Sequence, residues 1–110
     1  MTRDTEKAFV IIYSEYLRRR SFGTAKYQAV RFEGSKIKAI DAFSSWHPED
    51  IRYSLQELRK LGFVKIDIIG DVTLQESGIS FMESKPQEYF SAFSGIVKGI
   101  VELIAAFLPL

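Results

Sequence analysis

Arg52, Tyr53, Gln56, Arg59 and Lys60 all fall within RYSLQELRK, residues 52–60. Arg and Lys can reach guanine edges or phosphates, Gln can pair with adenine through two hydrogen bonds, and Tyr can donate to a phosphate oxygen. These side chains converge only if the segment is helical. At 100° per residue Ile51, Leu55 and Leu58 form one narrow apolar face, and Glu49, Tyr53, Gln56 and Lys60 oppose it, flanked by Arg52 and Glu57. Lys65, and Lys36 with Lys38 further upstream, would add phosphate contacts. The chemistry so placed is recognition of nucleic acid. Glu49, Asp50 and Glu57 balance Arg52, Arg59 and Lys60, however, whereas reading helices are usually basic. The alternative is therefore an interaction module whose apolar C-terminal helix docks on a partner protein or a membrane surface.

Other residues offer less. His47 precedes Pro48, where the start of a helix calls for a polar residue, and no nucleophile motif accompanies it. Asp67 and Asp71 read as a solvated strand residue and a turn residue rather than a metal pair. Most of Tyr13, Tyr16, Phe22, Tyr27 and Phe32 suit an apolar core better than a base-stacking platform. The chain has no cysteine, which excludes disulfides, thiol nucleophiles and thiolate metal sites. With no glycine-rich phosphate loop, nucleophile elbow or paired histidines, neither an enzyme nor a metal or cofactor site is expected.

The reading helix is the best-signalled element of the chain. In HPEDIRYSLQELRKLGF, residues 47–63, Pro48 stands at a first helical position, Glu49 and Asp50 occupy the dipole-favoured first turn, and Gly62 follows the last. Before it, an amphipathic helix runs from Asp4 to about Arg20, with Phe9, Ile12, Tyr13, Tyr16 and Leu17 on one face. A short strand is expected around Tyr27–Phe32, and a helix of two or three turns over KIKAIDAF, residues 36–43. After it, FVKIDIIGDVTL, residues 63–74, reads as a β-hairpin turning at Gly70-Asp71. Thr73 and Glu76 have capping-box spacing before a short helix near Gln75–Glu83, which Gly78 weakens.

Helix, strand, short helix, strong helix and hairpin, in that order, make an α+β, mainly α chain: a winged helix-turn-helix at 1–85 with an added apolar C-terminal helix at 86–110 in the same compact unit. RYSLQELRKLGFV, followed by a variable wing and VTLQESGISFMES, resembles the small YjcQ-type winged-helix proteins of phages and prophages of Gram-positive bacteria, over roughly residues 37–84. The resemblance implies a winged-helix fold and, through it, a transcriptional regulator that binds DNA. A length of 110 residues, 46% apolar and 26% charged, suits one folded domain. The formal charge of +1 means that any attraction to DNA has to be local. Acids precede the first apolar run and no small-residue cleavage site follows it, so a cytoplasmic location is expected.

The last segment, PQEYFSAFSGIVKGIVELIAAFLPL, is unusually apolar. Placed on one helix from Pro86 to Leu108, it carries a polar stripe through Ser91, Ser94, Lys98 and Glu102. Beside the stripe lie two apolar rows, Tyr89, Phe93, Ile96, Ile100, Leu103 and Phe107, and Phe90, Val97, Val101, Ile104 and Leu108. One row can be covered by the domain, which leaves the other for a second copy or for lipid. The expected homodimer surface comprises Phe93, Ile96, Ile100, Leu103 and Phe107, and such a dimer would present two reading helices to a palindromic site. A membrane span would bury Lys98 and Glu102 at roughly 2.5–3.5 kcal/mol each against about 0.5 kcal/mol gained per large aliphatic. An interfacial helix would carry more than one Lys. A dimer helix ranks first, an interfacial helix second and a span third. Gly95 and Gly99 have G-x-x-x-G spacing, which allows close helix contact in either setting.

Overall fold

The computed structural model describes residues 1–107. The chain is α+β and mainly helical: α1 (Arg3–Ser21), α2 (Lys26–Ala29), β1 (Arg31–Phe32), 3₁₀ turns at Gly34–Ala39 and Asp41–Phe43, α3 (Pro48–Lys60), β2 (Val64–Ile66), β3 (Val72–Leu74), α4 (Glu76–Glu83), α5 (Gln87–Ser91) and α6 (Ile100–Phe107). The three short strands form an antiparallel sheet in the order β1-β3-β2.

Helix α1 is the centre of the molecule rather than one of its sides. Thr2 caps it, accepting from the backbone N–H of Thr5, and Arg18, Arg19 and Arg20 complement the dipole at its other end. The expected apolar face is buried, but so are Val10, Ile11 and Ser14, making every residue from Ala8 to Ser14 inaccessible. A helix apolar on all sides requires cover on all sides. On one side α1 packs against α3, and on another against α6. Phe9 stacks on Phe63 at 5.2 Å and on Phe81 at 5.9 Å, which joins α1 to the start of the hairpin and to α4. Tyr13 meets Phe90 of α5 at 6.0 Å.

Four elements differ from expectation. Of the segment expected as a strand, Lys26–Ala29 is helical and only Arg31 and Phe32 pair with β3, at Thr73 and Val72. Residues 34–43 form 3₁₀ turns, not an α-helix. Thr73 lies inside β3 and caps nothing; the N-cap of α4 is Gln75, which makes no side-chain capping bond. In the hairpin the strands end at Ile66 and resume at Val72, so Ile68 and Ile69 belong to the connecting loop rather than to a strand.

The largest correction concerns the C-terminal segment. It is not one helix: α5 ends at Ser91, a run of turns follows, and α6 starts only at Ile100. Ser94 and Gly95 are weak helix formers, and Gly99 has a φ of +74°, where any residue with a side chain is strained. Gly95 and Gly99 therefore share no helix face. The break lets α5 and α6 fold back on each other, with α6 against α1. Phe90, Ile100 and Ile104 become fully buried and Phe93 nearly so. Tyr89 completes the attachment by donating its hydroxyl to Glu6 Oε2 at 3.0 Å. The domain thus buries the centre of both apolar rows and leaves Ile96, Val97, Val101 and Leu103 half-buried and Phe107 exposed; Leu108 lies outside the described residues. Among those residues no helix is long and apolar enough to cross a membrane.

Candidate nucleic-acid interface

Helix α3 is held by a narrow seam. Ile51, Leu55 and Leu58 are buried, Ser54 joins them, Gln56 and Glu57 are half-buried, and the rest of the helix is exposed. The helix begins where sequence signals converge: His47 is the N-cap, its Nδ1 accepting from the Glu49 N–H at 3.1 Å, and Pro48 is the first helical residue. His47 is thus a capping residue. At the far end the N–H of Phe63 returns to the Leu58 carbonyl at 3.0 Å, turning the chain into β2.

The outward side chains are arranged as follows. Arg52 Nη2 donates to both carboxylate oxygens of Glu49, at 2.8 and 2.7 Å, on an exposed surface. That hydrogen bond, and then the Arg52 charge, hold the Glu49 carboxyl below its ordinary range. Exposed pairs of this kind are weak and screened by salt, so Arg52 is readily exchanged to a phosphate. Arg59 donates Nε–H to Gln56 Oε1 at 2.8 Å, leaving its other guanidinium donors directed to solvent. Tyr53 is 62% exposed. Lys60 is exposed and makes no ion pair among the described residues. Tyr53, Gln56 and Lys60 line a shallow groove of about 250 Å³ with Met1, Glu57 and Leu61.

Glu57 fixes how this face sits on the domain. Its carboxylate accepts from the buried Thr5 hydroxyl, and from the Thr2 hydroxyl at 3.5 Å, so the start of α1 is tied to the middle of α3. The Thr5 bond is the chief reason that the Glu57 carboxyl is held below its ordinary range, against a smaller opposing effect of burial.

The remaining lysines of the expected site lie elsewhere. Lys65 is on β2, exposed. Lys36 pairs with Glu33 at 3.2 Å and borders a different concavity, a wide cleft of about 1050 Å³ between α1, the 3₁₀ turns and the turns before α6. The Lys38 ammonium donates to the main-chain carbonyls of Trp46 and, at 3.5 Å, of Ser44, where it closes the turn leading into α3. Lys38 thus supports the position of α3, and the structure does not bring Lys36 or Lys38 together with Tyr53 and Lys60.

The expected dimer row is likewise divided. Phe93 and Ile100 belong to the core and are unavailable to a second chain, while Ile96 and Leu103 are half-buried and Phe107 is 38% exposed.

Asp67 and Asp71 both serve the hairpin loop. Asp67 Oδ1 accepts from the backbone of Ile69 and Asp71, and Asp71 Oδ1 from the backbone of Gly34. Sequence reasoning passed over Arg31. Its signal was present in the alternation of Arg31, outward, with Phe32, buried, which places Arg31 on the solvent face of the sheet. No family model and no solved structure matches the chain.

Proposed function

We propose that the chain is a winged-helix module that binds duplex DNA through the outward face of α3, acting in the cytoplasm as a homodimeric transcriptional regulator. The order α1, β1, 3₁₀ turns, α3 and a β2–β3 hairpin, with β3 between β1 and β2, supports the winged-helix reading. The observation that carries the DNA reading is the asymmetry of α3. It contributes only Ile51, Ser54, Leu55 and Leu58 to the interior and leaves Arg52, Tyr53, Arg59 and Lys60 for a partner. The similarity of residues 37–84 to YjcQ-type proteins agrees with this. A homodimer would use what remains at the surface, with Ile96, Leu103 and Phe107 at its centre.

Titration of mixed-sequence duplex DNA at several salt concentrations tests the reading. Affinity should fall log-linearly with salt, and Lys60→Ala should reduce the slope by about 1, the contribution of one phosphate contact. Tyr53→Ala should weaken binding without changing that slope if Tyr53 only donates a hydrogen bond. Met1, Tyr53 and Leu61, all exposed around one groove, favour a second reading in which α3 receives an apolar side chain of a protein partner. Absence of DNA binding even at low salt would select it.

A further inference from the structure

The hairpin ends in an unusual tip. Ile68 is 102% and Ile69 78% exposed, in a loop where Gly, Asn, Asp or Ser would normally serve. Neither isoleucine contributes to the core, and exposing both to water is unfavourable. The loop that bears them is well braced. Asp67 Oδ1 accepts from the N–H of Ile69 at 3.0 Å and of Asp71 at 2.9 Å. The main chain adds bonds from Asp67 N to Asp71 O and from Gly70 N to Asp67 O, both 3.0 Å. Asp71 Oδ1 reaches across to the N–H of Gly34 at 2.9 Å, fastening the loop to the first 3₁₀ turn. Both carboxylates are thereby engaged with backbone donors, and the two isoleucines are held out in a fixed position.

Behind the tip lies a basic row. Arg31 of β1 and Lys65 of β2 both stand opposite Thr73 of β3, and directly opposed residues share a face of the sheet. The other face carries Phe32, Val72, Val64 and Leu74 into the core, so the row is on the solvent side, where Arg31 and Lys65 are exposed. Among the described residues neither makes an ion pair. A projecting apolar tip backed by two uncommitted cations matches duplex DNA in charge and in form. Phosphates would meet the cations, and apolar side chains of this size can enter between base steps from the minor groove, unstacking them and bending the duplex.

We infer that Ile68 and Ile69 form an apolar wedge that enters the minor groove and kinks the DNA, with Arg31 and Lys65 on the flanking phosphates. The inference rests on the DNA-binding reading of α3 and adds to it a distortion of the bound site. Preference should follow ease of unstacking, favouring pyrimidine–purine steps such as TA and CA.

Energy transfer between dyes at the two ends of a duplex of about 30 base pairs containing such steps tests it. The full chain should bring the ends closer on binding. I68S/I69S, altered only at exposed positions, should still bind through α3 with an unchanged salt slope, about tenfold or more weaker, and without bringing the ends together. R31A/K65A should reduce the salt slope by about 2. If the unaltered chain binds and the ends do not approach, the wedge is overturned while the role of α3 stands. If the chain does not bind duplex at all, both fall. Binding instead to vesicles of phosphatidylcholine and phosphatidylserine, abolished by I68S/I69S, would assign the tip to a lipid surface.

Discussion

An alanine at position 78 would place its Cβ 2.6 Å from the carbonyl oxygen of Phe63 and 3.1 Å from the Phe63 Cβ. That oxygen cannot easily retreat, because it accepts the N–H of Gln75 at 2.9 Å. Helix propensity alone would favour Gly78→Ala by about 1 kcal/mol. The overlap, at about 1–3 kcal/mol for overpacking of a fixed site, outweighs it. Gly78→Ala should therefore lower the melting temperature, and a raised one would contradict the close contact between α4 and the start of the hairpin. Periodicity registers Gly78 only as a weak point of its own helix. The reason for the glycine lies fifteen residues away, at Phe63, out of reach of any local pattern. Where the cause is local the residue is legible: His47 before Pro48 announces a cap, and it is one.

Between elements, α3 was readable because every signal agreed, from Pro48 and the acids of the first turn to the narrow apolar seam and Gly62. The 3₁₀ turns were misread for a reason visible in hindsight. Ile37, Ile40 and Phe43 recur at a strict interval of three, the period of a 3₁₀ helix, whereas an α-helix alternates threes with fours. The tie between α1 and α3 was not legible, since nothing in the sequence pairs Thr5 with Glu57. It has a pH signature. The folded carboxyl is held below its ordinary value, so the tie stabilises the fold above the unfolded pKa of about 4.3 and is lost as pH falls through the lower folded value. At Glu15 burial alone would raise the value, but hydrogen bonds and charge from Arg18 and Arg19 outweigh it, with the same sign. Glu57→Gln should consequently show a smaller loss of stability than the unaltered chain between pH 6 and pH 3, compared by urea midpoints at the two pH values. Equal losses would show that the Thr5–Glu57 bond does not discriminate between protonation states.

For the whole molecule, the tail is part of the core. Phe90, Phe93, Ile100 and Ile104 together contribute roughly 6–12 kcal/mol of apolar burial at about 1.5–3 kcal/mol each. Total stability in domains of this size is about 5–15 kcal/mol. A chain ending at Lys85 should therefore be insoluble or lack a cooperative melt, and a soluble, cooperatively folded 1–85 would show that α5 and α6 are accessory. The sequence displayed the surplus of apolar surface but not its cover, because a continuous helix hides the break at residues 92–99, and the single apolar face assigned to α1 omits Val10 and Ile11, which the fold also buries. The central position of α1 has a consequence for biosynthesis. Ser21 is translated well before Ile100, an interval of roughly 4–16 s at about 5–20 residues per second. Throughout that time the apolar run from Phe9 to Ile12 has been made and its last cover has not. The nascent chain thus carries an incompletely covered apolar segment through that interval, and slowing translation ahead of Ile100 should prolong its exposure to aggregation.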